Sequence, residues 1–284
     1  MKLSKIFALL LALCLISSAA CAATFTDAHG NVIELDDSLE AYAAVTLVGA
    51  DNAARQGETN LGDLWADALR WFAVSGEINA AFDEDDVKAG NDRIAVDADH
   101  VVALWNGGNL RADIAEGTFG AEALAEVLPF PNKVAVVYMT GAQLLETLEA
   151  ASQGLPYTAK TADACASLMQ VSGLTYTVDT AKAYDALEAY GDHWFTAGSV
   201  SRVRIDDVNG QPFDAEATYA VVTSNANFNG MDSSYVLKAA AEANEQSAVT
   251  TAVVRDVVFQ FIAAELNHQI GEAYAAPQGR LTVL

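Results

Sequence analysis

The chain has 284 residues, 52% of them apolar and 19% charged, enough to bury a substantial core in one large domain or two small ones. Its 38 acidic residues against 15 basic ones give a formal charge of −23. That balance excludes a nucleic-acid partner, because phosphate-backbone binding draws on a basic face that this composition does not supply; small ligands remain open.

The first stretch, "MKLSKIFALLLALCLISSAACAATF", carries two lysines, an apolar run from Ile6 to Ile16 and then small residues, the three-part pattern of a secretory signal. The run is short for a bilayer span and no second long apolar stretch follows. The expectation is therefore an exported protein, periplasmic or extracellular, with residues 1–22 as signal peptide and no transmembrane segment. Ala20-Cys21-Ala22 fits a small-x-small cleavage site. A lipoprotein anchor on Cys21 is the alternative, disfavoured because a leucine three residues before the cysteine is missing. With Cys14 and Cys21 in or beside the signal, Cys165 reads as a buried small hydrophobe, and no intrachain disulfide framework is expected.

Residues 23–42 form an N-terminal hairpin or extension: in "TFTDAHGNVIEL", Phe25, Val32, Ile33 and Leu35 flank His29-Gly30-Asn31, which suits a tight reversal. Asp27-x-His29 also resembles the opening motif of metallophosphatases. The company such a site needs is absent: there is no Gly-Asp-x-x-Asp, Gly-Asn-His or Gly-His-x-His, and the four histidines, at 29, 100, 193 and 268, are scattered. Turn chemistry is the favoured reading. "AAVTLVG" (43–49) is β-like, and from Asn60 the period changes, with Leu61, Leu64, Trp65, Ala68, Leu69 and Phe72 on one helical face. Thr59 or Asn60 suits the N-cap, and Gly76 lies just past the end. "EDD" (84–86) reads as a solvated loop, with a weak calcium site as the alternative.

"VVALW" is a buried-strand candidate that runs into "WNGGNLR" (105–111), a loop composition suited to binding. "GAEALAEVL" then reads as a short helix and "VAVVYM" (134–139) as a strand. Thr140 with Gln143 makes a capping box for a helix whose apolar stripe is Leu144, Leu145 and Leu148. "LTYTV" and "SVSRVRI" read as strands, Asn209-Gly210 as a hairpin turn and "ATYAVVTS" as the returning strand. "TTAVVRDVVFQFIAAEL" reads as a helix with Val254, Val257, Val258, Phe261 and Ile262 inward. No repeat or low-complexity linker interrupts residues 43–284, so one α+β domain with its sheets covered by helices is expected there, with the acidic residues as a soluble surface.

Several segments together, in order, resemble the C-terminal domain of the secreted 5′-nucleotidase family, the domain that follows a metallophosphatase half. "ETNLGDLWADALRW" (58–71) is similar to the family's helix start and "WNGGNLRADIAEGTF" to its Asn-Gly-Gly-x-x-Arg loop. "VLPFPNKVAVVYMTGAQLLETLE" (127–149), "LMQVSGLTYTVD" and "GRLTVL" match its later segments. The resemblance covers about residues 43–284.

Gly107 and Gly108 would let backbone approach a ligand and adopt positive φ. Arg111 would present an always-charged donor fork to a phosphate or hydroxyl pair. The resemblance further implies that Arg55 faces the nucleotide, that Asn106 matches a base-contacting position, and that Phe130 matches one of two aromatics that sandwich the base. It also implies that Asn225 lines the cleft and that Asp232, in "NFNGMDSSY", matches the ribose-binding aspartate. Departures stand beside the matches. Ala226 replaces the second aromatic, with Phe228 or Tyr235 as candidate substitutes, and Met231 and Ser233 replace two loop glycines. The family's catalytic residues and divalent metals belong to the metallophosphatase half, so this chain is expected to carry no catalytic residue and no cofactor of its own. Three readings follow: an exported nucleoside- or nucleotide-binding domain, the specificity subunit of a split 5′-nucleotidase whose metallophosphatase is a separate chain, or a non-binding scaffold that keeps the fold.

Overall fold

The computed structural model describes residues 24–26, 32–34, 40–82, 94–190 and 193–284. Cys21, Asp27, His29 and the acidic run at 84–86 lie outside them. Strands β1 (Thr24–Thr26) and β2 (Val32–Glu34) pair antiparallel as the sequence pattern predicts, Phe25 opposite Ile33. Strand β3 (Ala41–Ala43) precedes α1 (Asn60–Val74), whose predicted apolar face is wholly buried. Thr59 caps α1, its side chain accepting from the Gly62 amide, and Gly76 follows the helix at φ 86°.

Then come β4 (Val101–Asn106), β5 (Gly117–Phe119), α2 (Ala121–Val127) and β6 (Lys133–Thr140). Helix α3 (Gly141–Ala151) carries the capping box in full, Thr140 and Gln143 bonding reciprocally. Strands β7 (Met169–Ser172), β8 (Leu174–Val178), β9 (Ala186–Tyr190), β10 (Trp194–Ala197), β11 (Val203–Val208) and β12 (Thr218–Ser224) follow. The chain continues through the single turn α4 (Asn225–Phe228), α5 (Tyr235–Ala243), β13 (Ala248–Val253), α6 (Val254–Ala264), β14 (Gln269–Ile270) and β15 (Leu281–Val283).

The centre is a five-stranded sheet in the order β13-β6-β12-β4-β7, with β4 and β12 parallel and the other pairs antiparallel. Successive side chains of a strand point to opposite faces, so a near-continuous apolar run buries both. Val101, Ala103 and Trp105 face α1 and α6, while Val102 and Leu104 face α3, α5 and the smaller sheet β11-β8-β15. The result is a mixed α+β fold with helices on both faces of the central sheet. Cys165 is buried, and burial pushes its thiol pKa up.

The C-terminal segment closes the α1 side. Arg280 bonds both carboxylate oxygens of Asp67 at 2.8 and 2.9 Å and the Val171 carbonyl at 2.9 Å. Glu58 accepts from the Arg280 and Leu281 amides, and fully buried Asp63 accepts from the Gln278 amide at 3.0 Å.

Three boundaries differ from the sequence reading. Of residues 43–49 only Ala43 lies in a strand, and Leu47 makes an isolated bridge to Ile114. Side chains take the backbone donors there: Asn60 accepts from the Val48 amide, and Asp113 from the Gly49 and Ala50 amides. The strand within "SVSRVRI" begins only at Val203, where buried Glu149 accepts from the amides of both Arg202 and Val203. The predicted helix from residue 250 begins at Val254, since the β-branched run before it pairs with β6 as β13. The hairpin β9–β10 carries no alternating signal; its β9 residues are largely exposed.

Candidate functional site

Three segments meet where β4 ends. Ala53–Arg55 form a 3-10 turn held from below by buried Gln170, whose amide nitrogen donates to the Ala54 and Gly57 carbonyls while its oxygen accepts from the Thr59 amide. Gly107 packs against that turn: a Cβ there would fall 1.9 Å from the Ala54 carbonyl oxygen. A Cβ on Gly108 would meet Ala166 Cβ at 2.6 Å. Neither glycine is in the left-handed region. The positive φ expected from the sequence is thus corrected: these glycines are required because protein backbone packs against them.

Asn106, the last residue of β4, is fully buried. Its amide nitrogen donates to Asp232 Oδ2 at 2.7 Å, and its oxygen accepts from Asn109 at 2.8 Å. Asp232 sits in the loop after α4 with φ 51°, followed by Ser233 at φ 63°. Burial pushes the Asp232 carboxyl pKa up, against the pull of Arg55 and Arg111. Arg55 is buried, donating from Nη1 to the Ala162 carbonyl at 2.8 Å and standing 3.9 Å from Asp163 Oδ1. Partial burial, then Arg55, lowers the Arg111 pKa, while Asp232 raises it; a guanidinium stays charged throughout the useful range.

The Arg111 guanidinium carbon lies 5.7 Å from the centre of the Phe130 ring, which is 42% exposed. Asn225 Oδ1 accepts from the Lys133 amide at 3.0 Å, tying the loop that carries Phe130 to the first turn of α4. The structure therefore brings Arg55, Arg111, Asn106, Asp232 and Phe130 together, with Asn225 supporting Phe130. Both candidates for the second aromatic are half-buried and make protein contacts. Tyr235 bonds Glu146 and the Ala197 amide and packs on Tyr190, and Phe228 leans on the core. Met231, 58% exposed, sits over Ala226 through an amide bond to its carbonyl at 3.0 Å.

Sequence reasoning missed Asn109, Gln170, Gln153 and His193. Asn109 was open to discovery, since its spacing from Asn106 lets one asparagine orient the other. His193, with Nε2 3.8 Å from Asp163 Oδ2, was not, because its neighbours come from a distant segment.

Chemically the cluster offers two guanidiniums, one carboxylate and one open aromatic face. That suits recognition of a planar ring bearing hydroxyls and an anion, and it lacks a nucleophile paired with a base. Among the described residues no group of three or more His, Cys, Asp or Glu could hold a metal ion. Two cations beside a single carboxylate do not fit a divalent ion. No helix among the described residues is long and apolar enough to cross a membrane.

Comparison with known proteins places the fold. The trifunctional nucleotide phosphoesterase protein YfkN of Bacillus subtilis is 28% identical over 188 residues, which is 65% of this chain and 10% of that protein. The 5′-nucleotidase precursor of Thermus thermophilus superposes with a TM-score of 0.62 at 25% identity, over 99% of this chain and 43% of that one. Haemophilus influenzae NAD nucleotidase shares the fold, with a TM-score of 0.57 at 14% identity, over 92% of this chain and 48% of that one. The chain thus spans a tenth of the curated relative and under half of each solved structure. The sequence model described as 5′-nucleotidase, C-terminal domain, matches residues 40–239; the chain belongs to the 5′-nucleotidase C-terminal domain family.

Proposed function

We infer that this chain is an exported ligand-recognition domain that binds a nucleoside or nucleotide and performs no phosphate-ester hydrolysis by itself. The observation that carries the reading is the convergence of Arg55, Arg111 and Asp232 beside the exposed ring of Phe130. A base stacks on Phe130, ribose hydroxyls bond Asp232, and the guanidiniums meet the anionic end. Export rests on the lysine-then-apolar pattern of residues 1–22. Gly107 and Gly108 shape the loop rather than touch the ligand, Asn106 acts beneath the surface, and half-buried Asn225 supports the loop of Phe130.

Calorimetric titration with adenosine, AMP and other nucleosides tests this, repeated on Arg111→Ala. Micromolar to millimolar binding by the parent chain, weakened about tenfold or more for AMP in the variant, is the expected result. No heat across the panel would sink it and leave the scaffold reading, which Ala226 and exposed Met231 favour.

A second reading starts from membership of the 5′-nucleotidase C-terminal domain family over residues 40–239. The chain would then be the specificity subunit of a split nucleotidase, with divalent metals held by a separate metallophosphatase chain. Mixing the two should give activity above that of either alone.

A further inference from the structure

Asp232 and Ser233 are consecutive non-glycine residues with left-handed backbone, φ 51° and 63°. L side chains are sterically disfavoured there, and such a pair persists only where its surroundings over-determine it. Four side chains do so. The Tyr190 hydroxyl donates to the Gly230 carbonyl at 2.5 Å, and Asn106 bonds Asp232. Gln153 donates to Ser233 Oγ, and Asn227 donates to Ser234 Oγ at 2.9 Å.

Two of these four lead to the hairpin β9–β10. Tyr190 ends β9, and the Gln153 oxygen accepts from the Phe195 amide of β10 at 2.9 Å. Because a carboxamide has one accepting and one donating end, the bond to Phe195 fixes the nitrogen toward Ser233. The hairpin contributes little to the core, Leu187 being 68% exposed, yet its inward bonds converge on the Asp232 loop. Gly230 fits tightly under it, with a Cβ falling 2.2 Å from the Tyr190 hydroxyl.

We propose that Gln153 is a positioning residue: it locks the Asp232–Ser233 turn to the β9–β10 hairpin and so holds the Asp232 carboxylate at the geometry that ligand hydroxyls require. The proposal rests on the nucleoside reading above for its ligand, and on the hydrogen bonds alone for its mechanics. It makes the hairpin a brace for recognition without placing it against the ligand.

The test uses Gln153→Leu and Tyr190→Phe in the full chain, with two measurements. In hydrogen exchange, amides of residues 230–234 should exchange roughly tenfold faster in both variants, while those of β4 and β12 stay at the parent rate. In calorimetry, Gln153→Leu should raise the Kd for adenosine roughly tenfold and leave that for adenine, which lacks ribose, unchanged. Unaltered loop exchange in both variants overturns the proposal, as does equal weakening for adenosine and adenine. If the parent chain binds neither, the nucleoside reading fails, and the exchange rates still decide whether Gln153 and Tyr190 hold the loop.

Discussion

At position 107 only hydrogen fits. A methyl group there would drive into the Ala54 carbonyl, a backbone atom that cannot swing aside. Gly107→Ala should therefore cost about 3 kcal/mol of stability, the upper range for overpacking, seen as a lower urea midpoint. Phe130 is the opposite case, an exposed ring outside the core. Phe130→Ala should leave the midpoint nearly unchanged and weaken nucleoside binding by about 1–3 kcal/mol in calorimetry, the usual worth of one base–aromatic stack. Arg55, Arg111, Phe130 and Asp232 could be proposed from the sequence because they sit in motifs that follow the family order. The reason for the glycines could not, since it lies in Ala54 and Ala166, residues far away in the chain that only the fold brings against them.

Among the elements, α3 was the most readable. Its start is written locally, Thr140 and Gln143 each satisfying the other's backbone amide. Thr140→Ala should remove about 1 kcal/mol, measured by chemical denaturation, without altering the central sheet. The α6 boundary was harder, because the apolar residues of 250–266 satisfy a helix period throughout while Val249 and Val253 pair with β6 across an irregularity at 250–252. The β9–β10 hairpin was invisible for a different reason: its residues pack on one another's backbone and on loop atoms, which leaves no hydrophobic period to detect.

For the whole molecule, the buried acid beneath the C-terminal segment sets a pH dependence. Burial, then the Glu58 carboxylate, pushes the Asp63 pKa from 3.8 up to about 8, with Arg280 opposing. Asp67 and Tyr274 complete the surroundings, the tyrosine donating to Asp67 at 2.9 Å. The folded chain keeps this proton to about pH 8, whereas the unfolded chain releases it near 3.8. Between those values the unfolded state binds fewer protons, so this group's contribution is full at low pH and is lost as pH rises. Urea midpoints should thus fall between pH 5 and pH 8, and Asp63→Asn should flatten that slope; an equal slope in the variant would refute the assignment.

The clasp of Arg280 across Asp67 and Val171 also imposes an order of events. Helix α1 is synthesised more than two hundred residues before its cation, so a nascent chain carries Asp67 with no Arg280 to pair it. Burying the Asp67 carboxylate unpaired is unfavourable, so the α1 side should close only once Arg280 has been made. The position of Arg280 in the chain, rather than that of the helix it pairs with, thus sets when the α1 side can close.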